Sequence, residues 1–260
     1  MNIVVLIKQV PDTWSERRLG GSDHTLDRDS ADAVLDEINE RAVEEALKIK
    51  ESGEGEVTVI TMGPERATEA IRKALSMGAD KAVHLSDPGL HGSCVVQTAR
   101  ALAAVIGTLG DVDLILAGNE ATDGTVGAVP AMVAEVLGLP ELTHARKLTV
   151  EGRTVTVERE TDEAVTVLQA DLPAVVSVHE KINDPRYPSF KGIMAAKKKP
   201  VTKLSLGELG LAPGEVGLAG ATSTVIESTP RPPRAAGQVV TDDGDGAAKL
   251  AEYLIGQKLI

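Results

Sequence analysis

Short apolar runs alternate with helix-period segments through the first half of the chain, and few architectures accept that pattern. Asn2–Gln9 (NIVVLIKQ), Glu56–Met62 (EVTVITM), Lys81–Ser86 and Leu114–Gly118 read as strands. The first is apolar enough along its length to lie inside a sheet covered on both faces. Asp36 is placed to cap a helix running to about Glu51, whose Ile38, Ala42, Val43, Ala46, Leu47 and Ile49 share one face. Further helices are expected over about Arg66–Met77, Ser93–Leu109 and Val126–Leu137. A polar stretch between the first strand and about Ala33 reads as a long surface excursion.

Beyond Pro140 the pattern changes to β-rich runs. Arg146–Val150, Arg153–Glu160 and Ala164–Gln169, separated by turn residues, suit an antiparallel meander, and Ala174–His179 is one more apolar strand. From about Asn183 the chain turns irregular and then Gly- and Pro-rich, ending in a short amphipathic helix over about Ala247–Gln257. The expected fold is α/β: an open, mostly parallel, doubly wound sheet, Rossmann-like and of the adenine-nucleotide-binding type, with an added antiparallel meander and a C-terminal arm. The expected division is residues 1–205 as the nucleotide-binding domain and 206–260 as an arm that packs on a partner.

Charge and composition remove whole classes of function. The 260 residues carry 39 acidic and 27 basic side chains, a formal charge of −12, which opposes general nucleic-acid binding. Aromatic residues make up only 2%, too few for base-stacking platforms. A single cysteine, Cys94, excludes a disulfide framework or a multi-cysteine metal site. No apolar run approaches the ~20 residues of a membrane span, so no membrane insertion is expected. The opening MNIVVLIKQVPD has no signal-peptide features, which leads to an expected cytoplasmic location.

In such sheets ligands bind where strand order reverses, here expected between the first and fourth strands. That gathers Leu6–Gln9, the helix start Asp36–Asn39 and the loop Gly118–Val129 (GNEATDGTVGAV) around one crevice. The loop offers hydroxyls (Thr122, Thr125), glycines (Gly124, Gly127) and a helix N-terminus, the parts that hold a phosphate. An ordinary βα loop fits the same spacing. Neither G-x-G-x-x-G after the first strand nor G-x-x-x-x-G-K-[ST] is present. The five histidines show no metal spacing, and Asp123 and Glu120 have no evident partner, so no enzyme with its own proton chemistry is expected. An adenylate-using enzyme is disfavoured because Asn119–Val129 contains no basic residue.

One segment stands apart in charge. Arg186–Lys203 (RYPSFKGIMAAKKKPVTK) holds six basic residues and no acidic one, around the only phenylalanine, Phe190. An apolar knob on a basic, Pro/Gly-flanked loop suits a docking anchor. A solvated lysine run beside a core aromatic is the plainer alternative.

Several stretches together resemble the beta subunit of electron-transfer flavoproteins, in its bacterial branch. They are VLIKQVPD, INERAVEEALKIKE, MGPERATEAIRKALSMGAD, DLILAGNEATDG, and DLPAVVSV followed by NDPRYPSFKGIMAAKKK, collinear over roughly residues 1–200. The resemblance implies an electron carrier rather than an enzyme. It implies a heterodimer with an alpha subunit that holds most of a redox-active FAD, flavoprotein dehydrogenases as donors and a membrane quinone oxidoreductase as acceptor. It also implies a nucleotide inside beta: AMP with a structural role, or a second FAD as in flavin-bifurcating relatives. Carried over residue by residue, the nucleotide pocket falls on Leu6, Asp36, Glu37, Ile38, Asn39, Met62, Gly118, Asn119, Glu120, Ala121, Thr122, Asp123, Gly124, Thr125, Val126, Gly127, Ala128 and Val129. The docking loop falls on Arg186, Tyr187, Phe190, Lys191, Ile193 and Met194, with Phe190 in place of the family's anchor leucine. Thr13 and Ile38 fall where the family approaches the partner-bound flavin. The competing reading is an adenine-nucleotide sensor of the universal-stress type, which needs no flavin partner.

Overall fold

The computed structural model describes residues 1–234, 237 and 239–260; residues 235, 236 and 238 of the expected arm lie outside it. In chain order the elements are β1 (Asn2–Leu6), β2 (Gln9–Pro11), β3 (Ala33–Leu35), α1 (Glu37–Glu51), β4 (Glu56–Met62), α2 (Thr68–Met77) and β5 (Lys81–Leu85). They continue with α3 (Val95–Gly107), β6 (Leu114–Gly118), α4 (Val129–Leu137), β7 (Glu141–Glu151), β8 (Thr154–Glu160), β9 (Val165–Asp171) and β10 (Ala174–Val178). The last are α5 (Phe190–Ala196), β11 (Val201–Leu204), α6 (Gly217–Gly220) and α7 (Gly246–Gly256).

Nine strands form one sheet in the order β11-β5-β4-β1-β6-β10-β7-β8-β9, and β2 pairs with β3 in a separate antiparallel ribbon. Strand order reverses between β1 and β6, where the switch point was expected. Strands β11 through β7 run parallel, and β8 and β9 add the antiparallel meander. The central strands earn their place by burial on both faces. Val5 and Val59 pack with Ala42, Val43 and Ala46 of α1 and Ile71 and Leu75 of α2. Val4, Leu6 and Ile60 pack on the opposite face with Leu102, Val105 and Ile106 of α3 and Val133 of α4. This two-sided covering is why the strand sequences show no polar alternation.

The structure departs from the sequence reading in a few places. The region after Asn183 was expected to be irregular, yet it holds α5 and β11. Neither is long enough to show a period, and exposed, lysine-bearing β11 is an edge strand against β5. Strand β7 begins at Glu141, ahead of Arg146, because Leu142 and Ala145 are buried there without strict alternation. Helix α4 begins at Val129 rather than Val126, so more of the loop is free of helix. The chain divides into two compact units between Ile226 and Glu227, later than 205/206. Leu206 and Val216, on the stretch between these boundaries, are buried in the α3/α4 side of the core. The second unit, Glu227–Ile260, contains α7, which buries none of its residues.

The core is tight where it supports the switch point. Replacing fully buried Leu116 of β6 with Ala is expected to cost about 2–5 kcal/mol in urea denaturation. Val167→Ala on the outer strand β9, where the side chain is 65% exposed, is expected to stay within about 0.5 kcal/mol.

Candidate functional site

The switch point is stitched by one buried carboxylate. Asp36 is fully buried. Its Oδ1 accepts hydrogen bonds from the Ile38 and Asn39 N–H groups at 3.0 and 3.2 Å, capping α1. Its Oδ2 accepts from the Thr122 N–H and hydroxyl at 2.7 and 2.8 Å, which fastens the 118–129 loop to the same helix start. Asn39 adds a second stitch, its Oδ1 accepting from the Lys8 N–H at 2.7 Å. Gly118 is required beside it, since a Cβ there would lie 2.6 Å from the Asn39 amide nitrogen.

Beyond Thr122 the loop curls, with Thr125 at φ 48° and Gly127 at φ 67°. It delivers the chain to α4, whose N-terminus has no side-chain cap. Pro130 in its first turn has no N–H and the Met132 N–H is taken by the Ala128 carbonyl, so this start offers a phosphate the Val129 and Ala131 N–H groups and the positive end of the helix dipole. Leu6 belongs to the apolar cluster on the α3/α4 side of the sheet, and Met62 and Val129 each pack against that cluster. Glu37, Ile38, Glu120, Thr122 and Thr125 line a cleft of about 230 Å³ with Thr13, and Arg17, Arg41 and Glu180 complete its wall. Thr13 and Ile38 therefore share one surface. Gly124 and Val126 stand exposed at the loop tip.

The expectation that Asp123 has no partner is corrected. Lys8 Nζ donates to its Oδ1 at 2.8 Å, and Arg28 Nη2 lies 2.8 Å from Oδ2 as a charge pair without hydrogen-bond alignment. The Asp123 side chain is only 1% exposed. Burial pushes its carboxyl up, but the Lys8 and Arg28 charges outweigh that and hold it below the ordinary value. A loop with no basic residue of its own is thus supplied with two from elsewhere. Arg28 belongs to the polar excursion, and nothing in the spacing of LDRDS pointed to this contact. Arg66 fixes the same stretch by donating to the Arg28 carbonyl at 2.6 Å, and His91 does so from the β5–α3 connection through Asp23 at 2.8 Å.

The second candidate region is α5. Tyr187, Phe190, Ile193 and Met194 are exposed, Phe190 at 80%, and Lys191, Lys197 and Lys198 of the same short segment are exposed too. Phe190 is therefore not a core aromatic. Arg186 behaves differently: its guanidinium turns to Glu44 and Glu51 of α1.

Two measurements probe the switch point. Asp36→Ala removes a helix cap and the loop tether together and is expected to cost at least about 2 kcal/mol in denaturant unfolding. Asp123→Asn is expected to cost about 1–3 kcal/mol near neutral pH. A carboxyl with a depressed folded pKa contributes stability above its unfolded value, ~3.9, and loses that contribution as pH falls through the folded value. The gap between wild type and Asp123→Asn in a pH series of urea melts should therefore close below about pH 4.

Comparison with known proteins bears on the whole chain. The family profile described as "Electron transfer flavoprotein domain" matches residues 23–209. The chain is 66% identical to "Electron transfer flavoprotein subunit beta" of Mycobacterium tuberculosis, covering 100% of this chain and 99% of that protein. It is 40% identical to the protein of that name from Thermoanaerobacterium thermosaccharolyticum, covering both chains fully. It is also 36% identical to "Caffeyl-CoA reductase-Etf complex subunit CarD" of Acetobacterium woodii, over 93% of this chain and 92% of that one. With a family match spanning most of the sequence and end-to-end relatives, the chain belongs to the electron transfer flavoprotein family, as a beta subunit.

Proposed function

We propose that this subunit, paired with an alpha subunit that holds most of a FAD, accepts electrons from flavoprotein dehydrogenases and passes them to a membrane quinone oxidoreductase. The observation that carries this reading is the α5 segment, which exposes apolar side chains together with lysines on a chain of net charge −12. A carrier must meet its donors transiently, and a small apolar knob with like-charged surroundings serves steering and release together. The flavin, when bound, supplies reversible one- and two-electron chemistry. This chain's own residues do the positioning. The 118–129 loop and the α4 N-terminus hold the phosphate of a nucleotide, AMP in our reading, with Asp36 and Asn39 keeping the loop in register. Thr13 and Ile38 form the wall facing the partner-bound flavin. Phe190, with Tyr187, Ile193 and Met194 around it, contacts the dehydrogenase. On α7 the exposed Leu250, Tyr253 and Ile255 form the arm's contact with the alpha subunit. The compartment is the cytoplasm.

Bound nucleotide stabilises the subunit because it binds only the folded state. Mass spectrometry of nucleotides released by denaturing the purified two-subunit complex is expected to give AMP and FAD in equal amounts. FAD at two per complex without AMP would replace the AMP assignment, and ATP or a nicotinamide nucleotide would overturn the reading. Phe190→Ala is expected to raise the KM for the dehydrogenase about tenfold or more at unchanged flavin content, measured as flavin reduction by a purified flavoprotein dehydrogenase.

A further inference from the structure

We infer that Arg186 is a positioning residue: paired with Glu44 and Glu51 of α1, it holds the α5 docking face in its binding geometry without itself contacting the partner. The inference rests on the docking reading above and adds what fixes that surface in place. Arg186 Nε donates to Glu44 Oε2 at 2.7 Å and Nη2 to Glu44 Oε1 at 3.1 Å, so one carboxylate takes the guanidinium in a fork. Nη2 also donates to Glu51 Oε2 at 3.0 Å, and the Arg186 N–H donates to Glu44 Oε2 at 3.1 Å, tying down the backbone too. The Glu44 side chain is 6% exposed, and its position on a packed helix leaves the carboxylate little freedom. A guanidinium engaged on two carboxylates of its own subunit has few donors left for another protein.

The same segment is held at other points. Asn183 Nδ2 donates to the Arg41 carbonyl at 3.0 Å and to Glu45 Oε2 at 2.9 Å, and Arg41 donates to the Asn183 carbonyl. At the far end, Lys199 Nζ donates to the carbonyls of Leu75 and Ala79 at 2.9 and 2.5 Å, at the C-terminus of α2, where a cation is favoured. Between the two ends, α5 lies so close to α2 that a Cβ on Gly192 would strike the Ser76 carbonyl. The segment from Asn183 to Lys199 is therefore fastened to α1 before the docking face and to α2 after it, leaving Tyr187, Phe190, Ile193 and Met194 free to face solvent. A binding surface ordered in advance loses less conformational freedom on docking.

The test uses the two-subunit complex with its bound cofactors. Hydrogen exchange of amides 187–196 is expected to quicken at least tenfold in Arg186→Met and less in Arg186→Lys, which keeps the charge but not the fork. Amides of β4 and β6 should be unchanged. With a purified flavoprotein dehydrogenase as reductant, KM should rise about fivefold at unchanged kcat and flavin content. Glu51→Gln, altering the more exposed carboxylate, is a milder variant should Arg186→Met fold poorly, and it should shift exchange and KM in the same direction. Unchanged exchange and KM in the Arg186 variants, alongside a raised KM in Phe190→Ala, would overturn the inference and leave the docking reading standing. Faster exchange with unchanged KM in both Arg186→Met and Phe190→Ala would sink the docking reading itself.

Discussion

The Asp36 carboxylate is the interaction on which the rest of the arrangement depends. A fully buried acid is costly unless every oxygen is used, and here one oxygen starts α1 while the other holds Thr122. Because both bonds come from one side chain, the helix start and the loop cannot move independently. α1 then runs 15 residues, about 22 Å at 1.5 Å per residue, and its later turns carry Glu44 and Glu51, which grip Arg186. One continuous helix thus spans from the proposed nucleotide site to the mount of the proposed docking face. Its apolar stripe, Ala42, Val43, Ala46 and Leu47, is fully packed against the sheet, which prevents rotation about its axis.

Charge does in the excursion what apolar packing does in the core. The stretch between β2 and β3 is polar, and it is secured by the ion pairs of Arg28 with Asp123 and Arg66 with Asp29 and by a hydrogen bond between His91 and Asp23. Exposed pairs of this kind contribute little singly, about 0–1 kcal/mol. Asp123 differs because its carboxylate is out of water, so its two cations are needed to keep it ionised. That places a basic pair beside a loop whose own sequence has none.

The sheet and its switch point were legible because buried parallel strands advertise themselves as unbroken apolar runs, as in NIVVL and LILAG. The cap at Asp36 was legible for a similar local reason, a short acid immediately before a helical stripe. What escaped was long-range and polar. Asp123 meets Lys8 and Arg28 across 115 and 95 positions, and no residue spacing encodes such contacts. Arg186 read as part of a contact surface because it lies in the basic, Pro/Gly-flanked segment around Phe190 that resembles the family's docking loop; only the fold shows its side chain turning back to α1. Helix α5, at seven residues, is too short for a periodic signal, and its register depends on Ser189 capping the Gly192 N–H and on tight approach to α2.

Magnitudes bear on how the proposed docking face would suit a carrier. Burial by a partner is worth about 1.5–3 kcal/mol for a fully exposed side chain of this size. With Tyr187 and Phe190 almost fully exposed and Ile193 and Met194 about half exposed, the four together stand to contribute roughly 4–8 kcal/mol. Association itself costs an estimated ~4–15 kcal/mol in lost translational and rotational freedom. The two are comparable, so the knob alone gives a contact that forms and breaks readily. A larger apolar face would hold the donor too long for turnover, and a floppy one would forfeit the small surplus to ordering. A rigid mount, with lysines to steer the approach, is the arrangement that keeps the contact specific while leaving it weak.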